Sequence, residues 1–181
     1  DHSPGPGTLL IAPPTVIDPN FFRTVVLLCE HSASGSFGLI LNRPIEIEID
    51  ILTGDLAGYE GELCYGGPVQ PDTLHFLHRL DIPQAEHVIG DIYWGGDFHS
   101  LATLHRERAL TPSRVKLYLG YSGWGAGQLH DEIQAGGWIT ASADTAAVFR
   151  DSPRELWRKR IRRLGGEFAV LANFPIDPRL N

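Results

Sequence analysis

The chain has 181 residues, of which 43% are hydrophobic and 20% charged, and its formal net charge is −7. This is the composition of a globular protein with one substantial core, so we expect a single domain over residues 1–181, with flexible tails at 1–6 and 176–181. A net negative surface repels phosphate backbones, which argues against direct DNA binding by the molecule as a whole.

The N-terminal residues, DHSPGPG, have neither the basic nor the apolar segment of a secretory signal. The longest uncharged apolar run, residues 25–29, is far shorter than the roughly 20 residues of a membrane-spanning helix. We therefore expect a cytoplasmic protein that does not contact a membrane.

Residues 23–44 predict a β-hairpin in the core. Two apolar runs, 24–29 and 37–41, flank a polar loop of small residues that contains glycine. Neither run is interrupted by charge, which indicates strands covered on both faces. A short strand at 8–12 precedes the hairpin and ends at two prolines, which cannot donate to a ladder.

The rest of the chain predicts more strands than helices. Alternating Ile and acidic residues at 45–50 indicate an edge strand, and residues 50–61 a short helix or turn. Further strands are expected at 74–80, 87–94, 115–121, 138–141 and 168–172, and helices at 98–108, 128–134 and from Pro153 to the glycines at 165–166. Residues 120–127 are expected to form a glycine-rich connection. Because strands and helices do not alternate regularly, the pattern favours an α+β fold.

Chemically capable side chains lie at the ends of the hairpin strands. Cys29 with His31 as its base is one candidate nucleophile, but a buried packing cysteine is the favoured interpretation. Glu30 and His31 are either solvated loop residues or site residues, and the sequence leaves both interpretations open. If they do chemistry, they act as acid or base in a cleft where Arg43 holds an anion.

The ligands of a metal centre would have to come from Cys29, His31, Cys64, His75 and His78. His75 and His78 lie three residues apart on a predicted strand and would point to opposite faces, which prevents chelation by the pair. The two cysteines form no CxxC spacing, and we expect them to be reduced. The sequence therefore predicts neither a metal nor a cofactor.

The segment GYSGWGAG does not fit known catalytic loops. Trp124 stands where an esterase nucleophile elbow requires glycine, so Ser122 is rejected as a nucleophile. No Gly-Lys-Ser/Thr follows, which excludes a Walker-type phosphate loop. What remains is an anion or partner site at the backbone amides that open the next helix.

The helix after Ser152 is strongly basic. Six of the 15 Lys and Arg residues of the chain fall within positions 154–163. This predicts either a solvated helix face or a nucleic-acid contact through Arg154, Arg158 and Arg162. Trp157 lies on the apolar stripe of the helix and does not provide a platform for stacked bases.

Several segments together, DPNFFRTVVLLCEH, GSFGLILNRP, YGGPVQPDTLHFLH and GYSGWGAGQL, resemble the YqgE/AlgH family, also called uncharacterised protein family 0301. The resemblance covers nearly the whole chain. It implies an α+β fold in which a mostly antiparallel, bifurcated sheet forms a pseudo-barrel with helices packed around it. The family carries a transcriptional-regulator label and no settled enzymatic activity.

The family motifs imply one pocket for a small-molecule ligand or an unknown protein partner. It is formed by Arg23, Glu30, His31, Asn42, Arg43, Gly66, Gly67, His78, Gly123, Trp124 and Gln128. The leading prediction is a non-catalytic cytosolic regulatory or binding protein with an indirect effect on transcription. The alternatives are a small enzyme with an acid/base cleft at Glu30, His31 and Arg43, and a nucleic-acid contact through the basic helix.

Overall fold

The computed structural model describes residues 3–173, and within them ten strands form one sheet. The strands are β1 (Thr8–Ile11), β2 (Val25–Ser32), β3 (Gly35–Ile40), β4 (Pro44–Ile45), β5 (Leu63–Tyr65), β6 (Val69–His78), β7 (Glu86–Ile89), β8 (Ile92–Trp94), β9 (Val115–Gly125) and β10 (Ile139–Ser142). The α-helices are α1 (Ile49–Leu52), α2 (Phe98–Arg106), α3 (Gln128–Gln134), α4 (Pro153–Leu164) and α5 (Gly166–Leu171). A 3₁₀ turn (Gly54–Leu56) and a π-helical segment (Ala146–Arg150) complete the described elements.

The sheet divides along β9, its longest strand. Its order is β10-β1-β2-β3-β9-β6-β8-β7, and β4 and β5 form a branch off this path. The C-terminal part of β9, from Ser122, pairs with β3, whereas residues 117–119 pair in parallel with β5. All other pairings are antiparallel. The α+β, mostly antiparallel fold with a bifurcated sheet is confirmed.

Two glycines occupy the point where the branches separate. The Gly66 carbonyl accepts hydrogen bonds from the Ile40 amide at 2.9 Å and from Ser122 Oγ at 3.2 Å. Gly67 has φ +154°, and a Cβ there would lie within the contact distance of the Tyr121 carbonyl group. We call Gly66 and Gly67 the glycine fork, because only residues without side chains let the two branches of the sheet approach this closely.

The helices cover different parts of the sheet. The apolar stripe of α4, with Leu156, Trp157 and Ile161, packs into the main core beside β1 and β2. Leu101 of α2 packs with Leu117 of β9 in a second core. Within residues 3–173, no helix is long and apolar enough to cross a membrane.

Four local predictions were wrong. Residues 87–94 are not one strand but the hairpin of β7 and β8, which turns at Gly90, where φ is +56°. Residues 120–125 belong to β9, because buried Ser122 and Trp124 alternate with exposed glycines and the segment pairs with β3. Residues 168–171 are helical, with Phe168 against the main core. The alternating segment after Pro44 leaves the sheet at Ile45, since its partner β5 has only three residues.

The predicted N-terminal tail is described only from Ser3 onwards. There the Gly5 amide donates to Thr8 Oγ1 at 3.1 Å, and the Gly7 amide donates to the Leu28 carbonyl. These bonds lead the chain into β1. The predicted C-terminal tail at 176–181 lies outside the described residues.

Candidate functional site

The structure does not bring all the predicted site residues together. In the β2/β3 hairpin, His31 pairs with Ser36 next to the turn, whereas Asn42 contacts Val25 at the opposite end. At roughly 3.3 Å per residue, six residues of strand separate these two groups by about 20 Å. The acid/base cleft expected from Glu30, His31 and Arg43 is therefore not formed.

At the turn end, His31 Nδ1 lies 2.6 Å from Ser36 Oγ, and Glu30 is exposed. Cys29 sits at a register shift between Leu28 and Glu30, with its thiol buried in the main core. Burial raises the pKa of the Cys29 thiol far above its usual range. Cys29 is thus a packing residue, as the sequence favoured, because a nucleophile must reach the thiolate form.

The predicted residues on β9 and α3 hold these two elements together. Gly123 and Trp124 pair with Phe37 and Ser36 near the turn end of the hairpin. The Trp124 indole N–H donates to a Glu132 oxygen at 3.2 Å, and Gln128 Nε2 donates to the other oxygen at 2.9 Å.

His78 is fully buried and has a structural role. Its Nδ1 accepts from the Leu80 amide at 3.2 Å, so the ring proton must be on Nε2, which donates to the Gly95 carbonyl at 2.8 Å. Burial lowers the pKa of His78, while the hydrogen bond to the Gly95 carbonyl partly opposes the shift. The imidazole therefore joins the C-terminal end of β6 to the segment after β8.

This lowered pKa predicts a loss of stability in mild acid. The folded state disfavours the protonated imidazole, so the free energy of unfolding should be highest above the unfolded pKa of about 6.5. It should decline as the pH falls through 6.5 toward the lower pKa of the folded state. Urea denaturation between pH 8 and pH 5 measures the decline, and ring resonances measure the His78 midpoint. A titration midpoint of His78 at or above pH 6.5 would contradict the assignment. The control substitution for the denaturation experiment is His130→Gln, at an exposed position of α3.

Three of the predicted pocket residues, Arg23, Asn42 and Arg43, lie at the other end of the hairpin, whereas Gly66 and Gly67 form the glycine fork. At that end of the hairpin, a cavity of about 370 Å³ is lined by Arg23, Asn42 and Arg43 together with two residues proposed for nucleic-acid contact, Arg154 and Arg158. We call it the arginine cavity. Its remaining wall is formed by Phe22, Pro153 and Trp157.

Asn42 and Arg43 fix the backbone that precedes β2. Asn42 Oδ1 accepts from the Val25 amide, and its Nδ2 donates to the Arg23 carbonyl, both at 2.9 Å. Arg43 donates to the carbonyls of Asn20 at 2.8 Å and Phe22 at 3.0 Å. The two bonds made by Arg43 leave part of its guanidinium, which has five N–H donors, available to a ligand.

Arg23 is held in an uncommon conformation over an aromatic surface. Its φ of +52° lies in the left-handed region, which costs a residue with a side chain about 1 kcal/mol or more. Its guanidinium carbon lies 4.7 Å from the centre of the Trp157 ring. Burial, and after it the charge of Arg158, lowers the pKa of Arg23.

Three other basic side chains of α4 form ion pairs with the two carboxylates Asp144 and Asp151. Arg160, 5% exposed, donates to Asp144 at 2.8 Å and to Asp151 at 3.3 Å. Lys159 pairs with Asp151, and Arg163 lies 3.7 Å from Asp144. The Arg160 guanidinium lowers the pKa of the Asp144 carboxyl. Of the three arginines of α4 without a carboxylate partner among the described residues, Arg154 and Arg158 line the arginine cavity, and Arg162 does not.

Two arginines of α4 bring positive charge to the cavity. Arg158 uses its Nε to donate to the Ala172 carbonyl at 2.8 Å, which leaves the two terminal nitrogens. Arg154 is exposed and has no hydrogen-bond or ion-pair partner within residues 3–173. No Asp or Glu among these residues lines the cavity, although Asp18 acts on Arg43 from outside it. Such a set of guanidinium groups can bind a carboxylate or a phosphate.

Sequence reasoning found the arginines but not their common location. Trp157 is buried in the main core, as its place on the apolar stripe predicts, and its indole N–H donates to the Ala12 carbonyl at 2.7 Å. Its ring face also lies under Arg23, and Phe22 lines the same cavity, neither of which the apolar pattern of α4 indicates. The available signal was the adjacency of Phe22 and Arg23 just before a core strand. In the described part of the chain, no group of three or more His, Cys, Asp or Glu residues is placed to hold a metal ion.

Comparison with known proteins places the chain among related sequences and folds. A family model described as AlgH-like matches residues 9–169. UPF0301 proteins from Chlorobium limicola and Cytophaga hutchinsonii are each 42% identical to this chain over 178 residues. Each alignment covers 97% of this chain, and the two cover 95% of the Chlorobium protein and 98% of the Cytophaga protein. The solution structure of the AlgH protein from Pseudomonas aeruginosa, also UPF0301, has a TM-score of 0.71 at 30% identity and covers 98% of both chains. A crystal structure from Corynebacterium diphtheriae has a TM-score of 0.79 at 22% identity, covering 96% and 94%, and shows the shared fold.

Proposed function

The chain belongs to the AlgH-like family, and on that premise we propose that it is a non-catalytic, cytoplasmic binding protein with a small anionic ligand. The ligand carries a phosphate or carboxylate group that enters the arginine cavity. Any effect on transcription is indirect and follows from ligand binding. This proposal keeps the binding role suggested by the family motifs and gives it a location.

One observation carries the proposal: four arginines line a single cavity, and no described acidic residue lines it with them. Like charges brought together raise the free energy of the folded state unless an anion neutralises them. The strained backbone of Arg23 supports the same conclusion, since strain retained in a fold often marks a functional position. The net charge of −7 on the whole chain would repel polyanions while the cavity still admits a small anion.

The nucleic-acid alternative has less support. Of the six basic residues on α4, three are paired with Asp144 or Asp151, and Arg162 donates to the Asn173 side chain at 2.6 Å. A backbone-binding surface needs several available cations along one face. The enzyme alternative loses its cleft, because Glu30 and His31 lie at the far end of the hairpin from Arg43.

Calorimetric titration with inorganic phosphate, pyrophosphate and citrate tests the proposal. We expect saturable binding of at least one anion that weakens as the salt concentration rises. Arg154→Gln and Arg158→Gln should each weaken it by about ten- to a hundredfold, because each removes a charge-assisted hydrogen bond worth about 1.5–3 kcal/mol.

Arg108→Gln is the matched control. It removes the same charge from an exposed residue at the end of α2, outside the cavity, and should leave affinity unchanged. The proposal fails if none of the three anions binds, or if the control weakens binding as much as the cavity variants do. Tight, salt-sensitive binding of duplex DNA at physiological salt would favour the nucleic-acid alternative instead.

A further inference from the structure

A groove of about 800 Å³ lies between the segment 44–50 and the segment 58–63, on the branch of the sheet formed by β4 and β5. Five acidic side chains line it: Glu46, Glu48, Asp50, Glu60 and Glu62. Arg154 is the one basic residue among the described residues that line it. We call it the acidic groove.

Contacts between the two segments fix the shape of the groove. Ile45 pairs with Leu63 in the β4/β5 ladder, and the Gly58 amide donates to Asp50 Oδ1 at 3.0 Å. The ring of Tyr59, which also lines the groove, packs against the second core. A partner therefore meets walls that are already held in place, so less conformational entropy is lost on binding.

The carboxylates of the groove are not neutralised by the described residues. All five are exposed, and none forms an ion pair within residues 3–173. Like charges that are brought together favour the binding of cations. A single metal ion does not meet this need, because no group of three or more His, Cys, Asp or Glu in the described part of the chain is placed to hold one. The carboxylates instead match a ligand that carries several separate positive charges.

An exposed apolar surface accompanies the acidic groove. Ile47 lines the groove and is 43% exposed. Helix α1, whose first two residues also line the groove, carries Ile51 and Leu52, which are 77% and 37% exposed. These are three of the six large hydrophobic side chains that are exposed among the described residues. Apolar side chains gathered beside charged ones are typical of a protein-binding surface, and a small inorganic cation would leave them uncovered.

We propose that the acidic groove binds a basic amphipathic segment of a partner protein, in which Lys or Arg residues flank large apolar residues. The basic residues pair with the carboxylates of the groove, and the apolar residues cover Ile47 and Ile51. Charge complementarity selects this partner over an acidic one, and the exposed isoleucines select it over a purely cationic one. The proposal does not rest on the proposed anion-binding function.

Heteronuclear NMR titration of the full chain with the peptide acetyl-Lys-Arg-Leu-Leu-Lys-Arg-amide tests this inference. We expect saturable shifts of the backbone amides at 45–51 and 58–63, with a dissociation constant of about 1 mM or below that rises with salt concentration. The peptide acetyl-Lys-Arg-Ser-Ser-Lys-Arg-amide keeps the charge but lacks the apolar pair, so it should bind about tenfold more weakly. The peptide acetyl-Glu-Glu-Leu-Leu-Glu-Glu-amide should not produce these shifts.

A pair of double variants measures the contribution of charge. Glu46→Gln combined with Glu48→Gln should weaken binding of the Leu-Leu peptide by about fivefold, because two exposed ion pairs are lost. Glu86→Gln combined with Glu107→Gln is the matched control, since it removes the same charge from two exposed residues outside the groove. It should leave the affinity unchanged.

A second pair of variants measures the apolar contact. Ile47→Ser should weaken binding of the Leu-Leu peptide by about fivefold and leave binding of the Ser-Ser peptide unchanged. Ile17→Ser, at a 72% exposed position outside the groove, is the control and should change neither.

Four results would each overturn the inference. They are the absence of saturable shifts along the groove, equal binding of the Leu-Leu and Ser-Ser peptides, an equal loss of affinity in the two double variants, and dimerisation of the chain that Glu46→Gln with Glu48→Gln abolishes. The last result would make a second copy of this chain the occupant of the groove. The first two use the unmodified protein, so they decide the question even if a variant fails to fold.

Discussion

A Gly67→Ala variant is expected to lose about 4 kcal/mol or more of unfolding free energy, enough to leave much of the protein unfolded. The added methyl group would overlap the Tyr121 carbonyl and the Ser122 amide, which are backbone atoms of β9 and cannot rotate away. The backbone at Gly67, with φ +154°, is also strained for any residue with a side chain. Urea denaturation followed by tryptophan fluorescence measures the loss.

Gly90→Ala is the control for this experiment. Gly90 also has a positive φ, of +56°, but an added Cβ there meets no atom within 4 Å. It should lose only about 1 kcal/mol, the penalty for the left-handed backbone alone. Equal losses of stability from Gly67→Ala and Gly90→Ala would show that the two branches of the sheet do not approach closely at the glycine fork.

Trp157→Ala is expected to destabilise the protein by about 3–5 kcal/mol. The indole is 3% exposed in the main core, and its N–H donates to the Ala12 carbonyl at 2.7 Å. The substitution leaves a cavity and an unpaired buried carbonyl. It also removes the ring under Arg23, so anion binding in the arginine cavity should weaken as well. Urea denaturation and phosphate titration on the same samples measure the two effects.

Two comparison variants separate the parts of this effect. Trp157→Phe keeps most of the ring but not the donor, and should lose about 1–3 kcal/mol for the unpaired Ala12 carbonyl. Leu164→Ala, at a 39% exposed position of the same helix, should lose well under half as much as Trp157→Ala. A loss from Trp157→Ala no larger than that from Leu164→Ala would show that α4 is not anchored through its indole.

Much of the fold could be predicted from local pattern. Uncharged apolar runs predicted β2 and β3, and Ser152 with Pro153 marked the first turn of α4. Patterns failed where a neighbour decides the structure. Residues 120–125 look like a flexible connection because they contain three glycines, yet pairing with β3 makes them a strand. The bifurcation itself came from the family resemblance, since no periodicity reveals which strands share β9.

The site was less predictable than the fold. Arg23, Asn42, Arg43, Arg154 and Arg158 were all singled out, but in two separate hypotheses, a ligand pocket and a nucleic-acid helix. Nothing in the sequence indicates that α4 lies against the end of the hairpin opposite its turn. That proximity depends on packing between segments more than 100 residues apart, such as the bond from Trp157 to Ala12. Likewise, the sequence places Glu30 and Arg43 in one hairpin but does not show that they occupy opposite ends.

The pairing of β1 with β10 has a consequence for how the chain folds. Residues 8–11 pair with residues 139–142, and the bond between Ala12 and Trp157 spans 145 positions. During synthesis, β1 therefore cannot pair with β10, its outer neighbour, until most of the chain has left the ribosome. Contacts of such long sequence separation slow folding, because loop closure must precede the contacts that compensate for it. A chain truncated before residue 139 should therefore remain aggregation-prone, with the hydrophobic edge of β1 uncovered.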